Sequence, residues 1–375
     1  MGRAIRQPLS YPRNRHISNG AHVDSLHAGM LLSRRKPQET ARAAGDPAGE
    51  ATMLISRRTV TLALLAALAA APLRAAQPDW PNTITIATGS PGGTYFAYGE
   101  ALGKLLSTTL GIRVITQPTD GPSENIALLE EGKADLGFVT LGVAAQAWDG
   151  TAPWTKGVEM RDFRAVFPMY DTPFHFIVRK ASPAQKLGDL AGLRIGVGPE
   201  GGTGATYAPV LLETLGIEGQ FATGNWDELE AKLEAGDLDA LAVAAGAPFP
   251  AVSALEARGD ARYLPVTPEQ VLTLRFAFPE LGASTIPAGT YASLMYGYDT
   301  VGLYNFAVAR PELPPTLVEA IAKTVFDNND VLVEAHPAAA STIPSNFIRN
   351  TFLPYHPGAA QYYGATATSG VMLSD

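Results

Sequence analysis

The chain has 375 residues, 46% of them hydrophobic, and no cysteine. That length suits two domains, the composition supports a large core, and the missing thiol excludes disulfides, thiolate nucleophiles and cysteine-ligated zinc. The formal net charge of −8 is uneven: of 28 basic residues, ten lie within residues 1–58 and Arg74 is the eleventh, which leaves 17 basic against 32 acidic residues from Gln77 onward. So acidic a body repels polyphosphate and anionic lipid, which argues against nucleic-acid binding.

Met53 opens a stretch in which Ser56-Arg57-Arg58 precedes 13 uncharged residues, Thr59 to Ala71, and then Pro72-Leu73-Arg74-Ala75-Ala76. A basic start, a short apolar run and a small-residue exit make an export signal over 53–76. A membrane-spanning helix needs about 20 apolar residues, so the segment is too short to remain as an anchor. The paired arginines suit a twin-arginine signal and an ordinary Sec signal equally well. Cleavage is expected between Ala71 and Gln77, which places the mature protein in the periplasm. Residues 1–52 are Arg-rich and lack a hydrophobic period; they are expected to be a disordered leader or an over-extended start, with Met53 the initiator in the latter case.

Thr83 to Thr88 reads as a strand, Tyr95 to Leu110 as a helix, Ile112 to Thr116 as a strand, Ser123 to Glu131 as a helix and Leu136 to Val139 as a strand. This alternation predicts a parallel sheet covered by helices. Two extended runs follow, Phe163 to Pro168 and Phe174 to Val178. Then the pattern recurs: strand Leu193 to Val197, helix Ala205 to Leu215, a strand near Phe221, helix Asp227 to Glu234 and strand Ala240 to Val243. That echo predicts two similar α/β lobes with a cleft between them, lobe 1 from 77–170 plus 300–375 and lobe 2 from 171–299. Tyr304 to Ala309 reads as a late strand. Thr316 to Glu334 reads as one helix, N-capped by Thr316, packing back on the first lobe.

The chemistry falls in loops at the carboxyl ends of strands, where open α/β sheets bind ligands. Thr88-Gly89-Ser90-Pro91-Gly92-Gly93-Thr94-Tyr95 brings backbone close to a ligand and offers the N–H groups of a helix start to an anion, with Ser90, Gly93, Thr94 and Tyr95 as contacts. A plain strand-to-helix turn is the competing reading. Gly196-Val197-Gly198-Pro199-Glu200-Gly201 matches a dinucleotide fingerprint, but Pro199 and Glu200 lie where pyrophosphate would, and no acid ends the next strand. Thr203, Gly204 and Thr206 offer a second anion cradle. Ser123 and Asn125 sit at the second helix start, Thr140 ends the third strand, and Gly246 ends its counterpart. Enzyme signatures are missing: from Gln77 onward only His175, His336 and His356 occur, with neither H-E-x-x-H nor G-x-S-x-G. Asp135 and Asp239, each just before a strand, read as capping or solvated carboxylates. No catalytic residue, metal or cofactor is expected.

The run Ile84 to Trp148 resembles the TAXI family of solute receptors that serve TRAP (tripartite, ATP-independent) transporters. The resemblance rests on Thr88-Gly89 with Gly92-Gly93-Thr94-Tyr95, on Gly121-Pro122-Ser123-Glu124-Asn125, and on Gly132-Lys133-Ala134-Asp135-Leu136-Gly137-Phe138. Leu190 to Gly198, Ile286 to Tyr291 and Tyr355 to Ala359 also look like family segments. The resemblance implies a type II periplasmic-binding-protein fold. It implies a small carboxylate ligand such as glutamate or a dicarboxylate, a membrane permease as partner, and Thr94, Tyr95, Ser123, Asn125 and Thr203 as contacts. The chain departs from the family after the third strand, where Thr140-Leu141-Gly142 lacks an acid. It departs again at Gly201-Gly202-Thr203-Gly204. A receptor for an ATP-driven importer, or an enzyme on the same fold, is the alternative.

Overall fold

The computed structural model describes residues 79–368; the expected leader and export signal lie outside them. Among the described residues no helix is long and apolar enough to cross a membrane. The first unit runs β1 (Thr83–Ala87), α1 (Thr94–Leu110), β2 (Arg113–Gln117), α2 (Pro122–Glu130) and β3 (Leu136–Thr140). α3 (Leu141–Trp148) follows β3 without a loop. The sequence pattern hid it: nearly every side chain in Leu-Gly-Val-Ala-Ala-Gln-Ala-Trp is apolar and most are buried, so no polar stripe marks a helical period.

The two extended runs prove to be one 16-residue strand, β4 (Arg164–Arg179). The second unit comprises β5 (Arg194–Gly196), α4 (Thr203–Thr214), β6 (Gln220–Ala222), α5 (Trp226–Ala235) and β7 (Ala240–Ala244). Then come α6 (Pro250–Ala257), β8 (Ala261–Tyr263), α7 (Pro268–Ala277), β9 (Gly282–Ile286) and β10 (Tyr298–Ala309), which starts six residues before its predicted start at Tyr304. The single late helix is in fact two, α8 (Pro315–Asp327) and α9 (Asn329–Ala335), because Asn328 leaves helical geometry at φ −131°, ψ 36°. Nor does Thr316 cap it. Pro314 holds the N-cap position, and the Thr316 hydroxyl instead accepts the Trp80 indole N–H at 2.9 Å. α10 (Pro357–Thr368) closes the described chain.

The strands form one mixed sheet in the order β2-β1-β3-β10-β4-β7-β5-β6, with β8 on β4 and β9 on β10. β1 is flanked in parallel by β2 and β3, and β5 in parallel by β6 and β7. The sequence echo is therefore a repeated parallel triplet. The likeness extends to Asp135, whose carboxylate accepts the Thr85 N–H in the middle of β1 at 2.8 Å, and Asp239, which does the same for Arg194 on β5 at 2.9 Å. Antiparallel β4 and β10 join the triplets, and the expected lobe boundaries fall inside these two strands. One apolar cluster packs α1 and α8 against the first triplet through Ile84, Leu102, Phe138, Phe167, Leu317 and Ile321. A larger one runs from α2 and α3 through the second triplet.

Candidate ligand-binding site

The carboxyl ends of β1, β5 and β7 open on a single cavity, and the middle of β4 forms another part of its wall. The loop after β1 contributes Gly89, Ser90, Gly93, Thr94 and Tyr95, and the loop before α2 contributes Asp120 to Pro122. Tyr170 and Thr172 come from β4; Val197, Pro199 and Gly202 to Gly204 come from the loop after β5 and the start of α4. Trp226, Ala244 to Gly246 and Phe249 complete the lining. The cavity is small, about 70 Å³ in volume.

Some helix starts carry side-chain caps, including that of α5 beside the cavity. α5 is capped by Asn225, whose Oδ1 accepts the Glu228 N–H at 2.8 Å, and α7 by Thr267. α1 and α4 begin instead after Gly93 and Gly202, extended residues with no side chain to accept a hydrogen bond. Their first-turn N–H groups consequently lack a local acceptor, and the helix dipoles place partial positive charge there. Both N-cap glycines line the cavity. The site thus joins two anion-favouring helix starts, one from each triplet.

The two sides also touch. Thr94 Oγ1 donates to Gly246 O at 3.1 Å, and Ser123 donates to Gly201 O from its N–H at 3.2 Å and its hydroxyl at 3.0 Å. Thr140 and Thr203 share a hydroxyl hydrogen bond at 3.2 Å. Gly121, at φ +136°, lies close to the other side; a Cβ there would lie 2.9 Å from Gly201 O.

Of the residues singled out from sequence, Ser90, Gly93, Thr94, Tyr95, Thr203, Gly204 and Gly246 line the cavity; Ser123, Asn125, Thr140 and Thr206 do not. Ser123 and Thr140 serve the contact between the two sides. Thr206 donates back to Gly202 O within its own helix at 3.0 Å. Asn125 is fully buried; its amide donates to Thr88 O and Phe138 O, both at 2.8 Å, and its Oδ1 accepts the Thr119 hydroxyl at 2.6 Å. It ties the ends of β1 and β3 together rather than facing the cavity. Replacing it with Ala should destabilise the fold by about 3 kcal/mol, because buried carbonyls lose their donor; a urea titration would show this as a lowered midpoint. The Tyr95 hydroxyl proton also has a partner already, Asn305 Oδ1 at 2.6 Å. Asn305 in turn donates to Tyr170 O at 2.6 Å and to Thr172 Oγ1 at 2.7 Å.

Sequence reasoning passed over Tyr170, Thr172, Trp226 and Phe249. Tyr170 is 1% exposed, yet its hydroxyl has no hydrogen-bond partner. Its ring is held by stacking on His336 (centroids 6.5 Å apart) and by Tyr98, and burial pushes its phenol pKa well up, so it stays a neutral donor. The available signal was polar Tyr170-Asp171-Thr172 interrupting an apolar strand. His336 is kept neutral: burial lowers its pKa, Nδ1 accepts the Ala338 N–H at 3.2 Å, and Nε2–H donates to Pro248 O at 3.1 Å. The G-x-G-x-x-G glycines have a packing role, since Gly198, at φ +89°, lies so close under Trp226 that a Cβ would come within 2.6 Å of the indole. No Lys, Arg or His lines the cavity, and among the described residues no cluster of three or more His, Asp or Glu could hold a metal.

An α/β fold with a mixed sheet, paired parallel triplets and a cavity at their carboxyl ends is that of the periplasmic binding proteins. A structure described as a periplasmic transporter shares it, with a TM-score of 0.50 at 14% identity over 76% of this chain and 96% of that one. Residues 86–364 match the model of the NMT1-like family, and the chain belongs to that family. Looser similarity links it to an R. palustris protein solved with adipate (TM-score 0.49, 18% identity, 78% of this chain and 99% of that one). The alkanesulfonate-binding protein SsuA from Xanthomonas axonopodis pv. citri, bound to MOPS, is also similar (TM-score 0.44, 16% identity, 79% and 96% covered).

Proposed function

We propose that the protein is an extracytoplasmic solute-binding receptor that closes on a small carboxylate and delivers it to the membrane permease of a TRAP-type transporter. The observation that carries this reading is the convergence of two uncapped helix starts, from α1 and α4, on a cavity free of basic side chains. A buried anion must be hydrogen-bonded, and main-chain donors can do this without a counter-ion. The carboxylate takes its hydrogen bonds from these N–H groups, and Tyr170 supplies a further donor. The motifs shared with the TAXI receptors support the transporter type and a periplasmic location. No group in the cavity is arranged as nucleophile and base, which favours binding over turnover.

Mass spectrometry of the molecule released from natively purified protein tests the reading: a small carboxylic acid supports it, and a ligand without an acidic group sinks it. A sharper arm is Tyr170→Phe. Affinity for the released ligand should fall about tenfold, ~1.4 kcal/mol. The ligand-free protein should melt no lower than wild type, because the lost hydroxyl had no partner. A merely structural tyrosine would give the reverse pattern.

A further inference from the structure

We infer that the site selects a singly charged carboxylate with an apolar body and discriminates against dicarboxylates. The inference rests on the carboxylate reading above and narrows it. It departs from the glutamate and dicarboxylate ligands that the family resemblance implies.

Donors reach the cavity from both sides, at the starts of α1 and α4. The lining also carries an apolar patch. Trp226 and Phe249 pack edge to face, ring centroids 5.0 Å apart, beside Val197 and Pro199. A second carboxylate placed there would leave water and meet neither a basic side chain nor a matching set of donors.

The mouth adds repulsion. Asp120 lines the cavity and is exposed, and its N–H is held by the Glu124 carboxylate at 2.7 Å. Gly201 abuts Asp120, which brings the neighbouring Glu200 to the same rim, and Asp227 borders the glycine turn at Gly92. The segments that carry these acids, 117–124, 197–204 and 223–228, and the glycine loop 88–94 contain no Lys or Arg. A dianion entering this opening meets like charge on both sides, whereas a monoanion can orient its single charge inward toward the helix starts.

Calorimetry on protein freed of its ligand, with three five-carbon probes, tests this: pentanoate, glutarate and glutamate. Pentanoate should bind at least tenfold more tightly than glutarate. Asp120→Asn should narrow that ratio at least threefold by strengthening glutarate. Glutarate or glutamate binding as tightly as pentanoate overturns the inference and leaves carboxylate recognition standing. An unchanged ratio in Asp120→Asn overturns the role of the acidic mouth. Heats absent with all three probes sink the inference together with the carboxylate reading.

Discussion

Gly121→Val should reduce ligand affinity by about a hundredfold or more, ~2.7 kcal/mol. The residue sits at φ +136°, ψ −156°, a region that only glycine occupies without strain. A side chain there would also run into Gly201 O at 2.9 Å and Gly202 Cα at 3.0 Å, both on the opposite side of the site. The Ser123 N–H and hydroxyl bonds to Gly201 O could then not form at their present lengths. The wedge thus acts on closure, and the expected signature is weak binding with a larger radius of gyration in solution scattering. Wild-type affinity in this variant would mean that the contact between the two sides has no part in holding the ligand.

Acid should weaken the fold through His175. The imidazole is fully buried, and burial lowers its pKa to about 4. Its hydrogen bonds fix the neutral form. Tyr291 Oη accepts the Phe249 N–H at 2.7 Å and so donates to His175 Nε2 at 3.0 Å, while Nδ1–H donates to Pro173 O at 3.1 Å. The unfolded chain takes up a proton below about pH 6.5 and the folded chain does not until about pH 4. Stability from this group is therefore complete above pH 6.5, falls as pH drops through that window and levels off below it. The total loss is about 3 kcal/mol. His336 and His356 have lowered pKa values too and act in the same direction, whereas Asp171, raised by burial, opposes them. Urea midpoints between pH 7 and pH 4, with His175 followed by NMR, would check this. An imidazole that titrates near pH 6.5 in the folded protein would refute the argument.

The parallel triplets were legible because the inner parallel strands are short apolar runs set between glycine turns and helices. Ile84, Ile86, Leu136 and Phe138 mark strands that are buried on both faces. The glycine loops were legible for the same reason that they matter, since an extended glycine N-cap leaves a recognisable gap where Ser or Asp would normally stand. What stayed hidden depended on distant partners. Pro168 and Pro173 look like strand breakers, yet β4 runs through both, because β10 pairs with it at Phe306 and Gly302. Asn125 carries a ligand-like side chain in a ligand-like loop, and only the positions of Thr88 O and Phe138 O reveal what it binds. Tyr170 fell in the gap between two expected strands, and only the lack of a partner for its hydroxyl drew it out.

β10 pairs with β3 of the first triplet and β4 with β7 of the second, and the two pair with each other along the first part of β4. Neither triplet can therefore be excised as an independent fragment, because any cut divides a strand that the other side needs for its own edge pairing. Relative movement is expected to flex this two-stranded ribbon, whose ladder is interrupted by register shifts between Tyr304 and Phe306 and between Ala307 and Val308. The molecule should accordingly melt as one cooperative body even though its sequence reads as a duplication.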